Sequence, residues 1–194
     1  MTDISSIDLS LSNIWRAWAS FRKGKKPSRE IVTFESALER NLLRLCNDFN
    51  NRQYQHGSYS HRIVNEKKRR DIAVATVKDR VVHRLLYDYI VPIVDKRFDF
   101  DVWSCRKGKG LMSALERTQK LLAKYPESWV WRADVHKFFD NVDQAILQSI
   151  LKRTITDPKA LYLLEEIIAS YNCLQNRTEQ NRHTYWQFDQ PDFC

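Results

Sequence analysis

The stretch WVWRADVHKFFDNVD, residues 129–143, constrains the fold of this chain more than any other. Its first seven residues alternate in the way a β-strand requires, since successive strand residues point to opposite faces. Trp129, Trp131, Ala133 and Val135 then share an apolar face that can lie on helices, and Val130, Arg132 and Asp134 share the other. A strand needs hydrogen-bonded neighbours, and the rest of the chain offers few. The fold must therefore combine a small sheet with many helices, in the α+β class.

The helices announce themselves by spacing. NIWRAWASF reads as a short helix, followed by the basic linker RKGKKPSRE. Phe34, Leu38, Leu42, Leu45 and Phe49 recur at steps of three and four, which predicts one helix with one apolar stripe. The turn-forming run NNRQYQHGSYS ends it. RIV and DIAVA flank the charged NEKKRR, a pattern for a hairpin with a basic tip. Val77, Val81, Leu85 and Tyr89 return to helical spacing, which Pro92 should kink or end. SCRKGKG is a basic loop. Leu111, Leu115, Leu122 and Tyr125 mark the next helix, and Val142, Ile146 and Ile150, with Leu147 and Leu151 beside them, another, with Asn141 or Asp143 as its N-cap. DPKALYLLEEIIASY makes the last.

Asp134 poses a chemical question, because a bare carboxylate among tryptophans and phenylalanines is costly unless something pairs with it. Arg132 lies two residues away on the same strand face, with Cα atoms roughly 6.6 Å apart, so a structural ion pair is one answer. A carboxylate at the end of an apolar strand is also a usual Mg²⁺ ligand, and that is the other. Four cations in a row, Lys67 to Arg70, form either a solvated turn or a phosphate grip. The loop CRKGKG before a helix start is either a connector or a second phosphate contact.

Charge bears on the choice. Lysine and arginine number 32 against 24 acidic residues, a net +8, which suits a polyanionic partner. Cys46, Cys105, Cys173 and Cys194 form no CxxC pair, which disfavours a zinc site or a disulfide framework. No signal-peptide pattern and no apolar run of membrane-spanning length are present, so a cytoplasmic protein with no membrane partner is expected.

Three ordered blocks, KRRDIAVATVKDRVVHRLL (68–86), FDFDVWSCRKGKG (98–110) and WRADVHKFFDNVD (131–143), resemble the fingers and early palm of bacterial reverse transcriptases of the group II intron, retron and diversity-generating type. The resemblance implies a partial fingers and palm of a right-hand polymerase. Its divisions would be a helical extension (1–55), a fingers-like region (56–125), a partial palm (126–174) and a tail (175–194). It implies RNA-directed DNA polymerase chemistry on an RNA template, a primer and dNTP, with Mg²⁺ as cofactor. Asp134 would be the catalytic and metal-binding aspartate, and the carbonyl of Val135 a second metal ligand. Phe139 would be the steric gate under the incoming sugar, which disfavours the ribonucleotide use of a primase or RNA polymerase. Lys68 and Arg70 would hold the triphosphate, and Arg106, Lys107 and Lys109 would contact template or primer phosphates.

The family's Tyr-x-Asp-Asp and Gly-x-Pro-x-Gly blocks have no counterpart in this sequence. Residues 182–194, RHTYWQFDQPDFC, suggest why. Given ordinary codons and read one nucleotide later, they spell Gly-Ile-Pro-Ile-Gly-Asn-Leu-Thr-Ser-Gln-Ile-Phe, the block expected at this place. A slip of reading frame after about Tyr171 is the reading that follows. A tail from about residue 175 would then not pack natively, and the chain alone would not polymerise; the alternative reading is a fragment that binds RNA without catalysis.

Overall fold

The computed structural model describes residues 6–65, 69–135, 138 and 141–171. Their order is α1 (Leu11–Arg22), α2 (Arg29–Glu35), α3 (Leu38–Asn50), the hairpin β1 (Ser60–Asn65) and β2 (Arg69–Val74), and α4 (Val77–Val94). A 3-10 turn at Asp95–Arg97 follows, then α5 (Leu111–Lys124), α6 (Gln144–Thr154) and α7 (158–171). The α+β class holds: the molecule is mostly helical and carries one two-stranded antiparallel sheet.

Local chemistry sets the helix starts. Ser10, Ser28, Thr76 and Asp143 each cap a helix by accepting a bond from the backbone N–H three residues on. Of the two expected caps for α6, Asp143 is therefore the one used. In α1, Ile14, Ala17, Trp18 and Phe21 are buried at helical spacing. They pack on α4, whose Val77, Val81, Leu85 and Tyr89 are buried in the expected register.

Two helix boundaries differ from expectation. The stripe from Phe34 to Phe49 is carried by two helices, because the chain turns at Ser36 and Ala37. The Ser36 hydroxyl donates to Thr33 O, and the Asn41 side chain donates to Phe34 O at 3.0 Å, satisfying the end of α2. Pro92 does not end α4, which runs two residues further. So close to the C-terminus, a proline removes one N–H from a helix already finishing.

The hairpin forms as expected, with Ser60 opposite Val74 and Asn65 opposite Arg69. Its tip, residues 66–68, lies outside the described residues. The core draws on Ile7 to Tyr89 and on Ile155, Ala160 and Leu163. Asp157 ties the two sequence ends together: it is nearly buried and accepts bonds from Ile7 N and Ser6 Oγ while capping α7 at Lys159 N. Tyr162 adds a bond of 2.6 Å to Tyr54 O.

Between residues 90 and 154 no described residue is buried. The expected core stripe of α5 lies in water, with Leu111, Leu115, Leu122 and Tyr125 all exposed. In α6 the half-buried face is Leu147 and Leu151, and Ile146 and Ile150 are exposed. The expected strand at 129–135 does not form: these residues have no regular structure, and Trp129 is 100% exposed. Alternation prepares a strand, but a strand exists only where a neighbour supplies the other half of its hydrogen bonds. The single sheet among the described residues contains β1 and β2 alone.

Candidate nucleic-acid interface

The loop between the 3-10 turn and α5 is built around Arg106. Its Nε donates to Asp95 Oδ1 at 2.6 Å, and its other nitrogens reach Asp95 Oδ2 and the carbonyls of Asp95, Asp99 and Val102. The hydrogen bond from Arg106 holds the Asp95 carboxyl below its ordinary range. A guanidinium so fully engaged serves as the keystone of its own loop. Gly108 turns the chain with φ +75°, a conformation that suits a residue without Cβ.

That loop displays rings and cations together. Phe100 and Trp103 meet edge to face with centroids 5.9 Å apart. The Lys109 ammonium lies 3.8 Å from the Phe100 centroid and 4.4 Å from that of Trp103, and donates to Phe100 O. Arg117 of α5 reaches Asp101 through two bonds, 2.9 and 3.0 Å, and lies over Phe100 as well. Lys107 is exposed. Thus Lys107 and Lys109 stand at the surface, and Arg106 holds the frame beneath them. Gly110 caps α5 without a side chain.

Asp134 and Val135 stand apart from this loop in the irregular segment. The Asp134 carboxylate is exposed and meets no cation among the described residues, Arg132 included. Water therefore solvates the charge in this structure, and the burial cost argued from sequence is not incurred. Among the described residues no three His, Cys, Asp or Glu side chains converge as metal ligands, and the Asp143 carboxylate is engaged as a helix cap. Lys68 and Phe139 lie outside the described residues. Arg70 belongs to β2, paired with Val64, and its side chain also lies outside them.

A second constellation was missed in the sequence. Asp79, fully buried in the first turn of α4, accepts bonds from Tyr54 Oη at 2.9 Å, Gly57 N at 3.1 Å and Thr76 Oγ1 at 2.6 Å. Beside it His56 Nδ1 lies 2.7 Å from Gly57 O, and His56 Nε2 lies 3.2 Å from His83 Nε2. A carbonyl can only accept, so His56 carries its proton on Nδ1 and accepts at Nε2 from His83. Burial, then the neighbouring His56, lowers the pKa of His83 to about 4. Burial, reinforced by Asp79, raises that of Tyr54. The knot anchors residues 54–59, and so the root of the hairpin, to α4. Its sequence signal was Thr76-x-x-Asp79 at a helix start, a capping-box spacing, with Gly57 upstream.

No helix among the described residues is long and apolar enough to cross a membrane. No family model matches the chain. Over 88 residues, 45% of the chain, it is 28% identical to nuclear intron maturase 1, mitochondrial, of Arabidopsis thaliana. The chain spans 12% of the length of that relative.

Proposed function

We propose that this chain is an RNA-binding piece of a reverse-transcriptase-type protein, comprising fingers and the first part of a palm, and that by itself it holds RNA without polymerising. The observation that carries RNA binding is the charge of the segment from Asp95 to Lys124, with eight basic and four acidic side chains. Two of those acids, Asp95 and Asp101, are already paired with Arg106 and Arg117. Six cations then face two acids along one exposed stretch, which suits phosphates. Similarity to an intron maturase favours RNA as the polyanion.

The polymerase part of the reading rests on the resemblance of the three sequence blocks. In it, Asp134 and the Val135 carbonyl would belong to a Mg²⁺ site completed by carboxylates from further chain, and Lys68, Arg70 and Phe139 would surround the dNTP. In this reading the chain alone lacks catalysis because a single aspartate cannot position two metal ions.

The test is RNA binding measured across a salt series. Affinity should fall steeply with salt and be unchanged in Asp134→Ala. Salt-independent or absent binding overturns the RNA reading. Extension of a primed RNA template with dNTPs and Mg²⁺ by the purified chain overturns the claim that it does not polymerise alone.

A further inference from the structure

We infer that Phe100, Trp103 and Lys109 form a seat for an unpaired base of single-stranded RNA, so that the loop binds single strands in preference to duplex. The inference rests on the RNA-binding reading above and adds to it the form of RNA recognised.

Phe100 is 66% exposed, although a Phe side chain gains about 1.5–3 kcal/mol on burial. Its position is nevertheless fixed from three sides. Trp103 meets it edge on, Lys109 lies over it while bonded to its carbonyl, and Arg117 lies over it while held by Asp101. The backbone beneath is clamped by Arg106 through Asp95 and the carbonyls of Asp99 and Val102. A ring held rigid and left in water is already ordered for stacking, so little entropy remains to be lost when a flat partner arrives.

The chemistry around the ring selects that partner. A greasy protein surface would not be drawn to a ring bordered by Lys109 and Arg117. Duplex phosphates would need the cations and leave the rings unused. An unpaired nucleotide uses both: its base stacks on an aromatic face and its phosphates meet the flanking ammonium groups. Lys120 and Lys124, four residues apart on α5, extend the cationic track past the seat.

The experiment uses the whole chain with an unstructured RNA 12-mer, the same sequence as duplex, and a single-stranded version carrying 2-aminopurine. The 2-aminopurine fluorescence should be quenched on binding to the wild type, and the single strand should bind more tightly than the duplex. Phe100→Leu keeps most of the apolar area and removes the ring. It should weaken the single strand roughly tenfold, within the range for loss of one base stack, while leaving the salt slope and duplex binding unchanged. Lys107→Ala should weaken both forms alike and reduce the salt slope by about one. Because Phe100 is exposed, its replacement should not alter the melting temperature, which is checked in parallel. If Phe100→Leu binds single strands as the wild type does, loses both forms equally, or the probe is not quenched, the seat is wrong while RNA binding stands. If the wild type binds no RNA at all, the parent reading falls with it.

Discussion

Replacing Asp79 by alanine removes the acceptor shared by three donors, of which Tyr54 Oη and Gly57 N have no other partner of comparable geometry. A buried donor left unsatisfied costs about 1–3 kcal/mol. The Thr76 hydroxyl can turn elsewhere, so two orphaned donors and the lost charge-assisted bonds together cost about 3–5 kcal/mol. For a chain of this size each kcal/mol lowers the melting temperature by about 2–4 °C, so a drop of roughly 10 °C follows. Urea unfolding followed by circular dichroism supplies the free energy. Tyr54→Phe should cost about 1.5–3 kcal/mol in the native background, because it removes one charge-assisted bond, and almost nothing once Asp79 is alanine. A change below about 0.5 kcal/mol for Asp79→Ala, or an equal cost of Tyr54→Phe in both backgrounds, refutes the view that this carboxylate anchors the hairpin root.

Further expectations concern the same knot and the RNA loop. The folded pKa of His83 is about 4, below the ordinary 6.5, so the unfolded chain binds a proton that the folded chain refuses. Stability should be unaffected above pH 6.5, fall between 6.5 and 4 and level off below. About 2 kcal/mol is lost after discounting for partial exposure, and the loss should vanish from urea midpoints in His83→Gln. A Cβ at Gly57 would lie 2.9 Å from Asp79 Oδ2 and 3.1 Å from Thr76 Cγ2, so Gly57→Ala should destabilise by about 1–3 kcal/mol by the same measurement. Arg106→Ala releases Asp95 and three backbone carbonyls, and limited proteolysis should then cut between residues 98 and 110 well before the wild type is cut, with the melting temperature nearly unchanged.

Helices were legible where periodicity and a cap agree. The register of α4 follows from Val77, Val81, Leu85 and Tyr89, and its start from Thr76. The break between α2 and α3 was hidden because Phe34 and Leu38 keep their spacing across it, and neither Ser36 nor Ala37 is a strong breaker. The segment 129–135 failed for a different reason. Alternation describes which side chains would share a face, but hydrogen bonds from a neighbour decide whether a strand exists. In the candidate interface, the basic loop at 104–110 was legible as a cationic surface. The division of labour within it was not, because only contact shows that Arg106 is consumed by Asp95 while Lys107 stays free in water. Asp79 escaped notice because an aspartate in a helix's first turn is ordinary, and its burial depends on Tyr54 and Gly57 arriving from another part of the chain.

The same geometry separates folding from binding. The core closes with residues from Ile7 to Tyr89 and from Ile155 to Leu163, and Arg97 Nη1 bonds Thr154 Oγ1 at 2.8 Å across the points where the chain leaves and returns. From Phe98 to Arg153 the chain makes an excursion with no fully buried residue among those described, touching the core through the half-buried Leu151. Its apolar residues, among them Leu111, Leu115, Trp129, Trp131 and Ile150, contribute little to closing that core. Truncating Leu42, fully buried, should cost the 2–5 kcal/mol of a core cavity, whereas truncating Leu122, half exposed, should cost a fraction of that. The residues that meet RNA in this reading, Phe100, Trp103, Lys107 and Lys109, all lie in the excursion. Changes there are free to alter recognition while the helical core beneath stays folded.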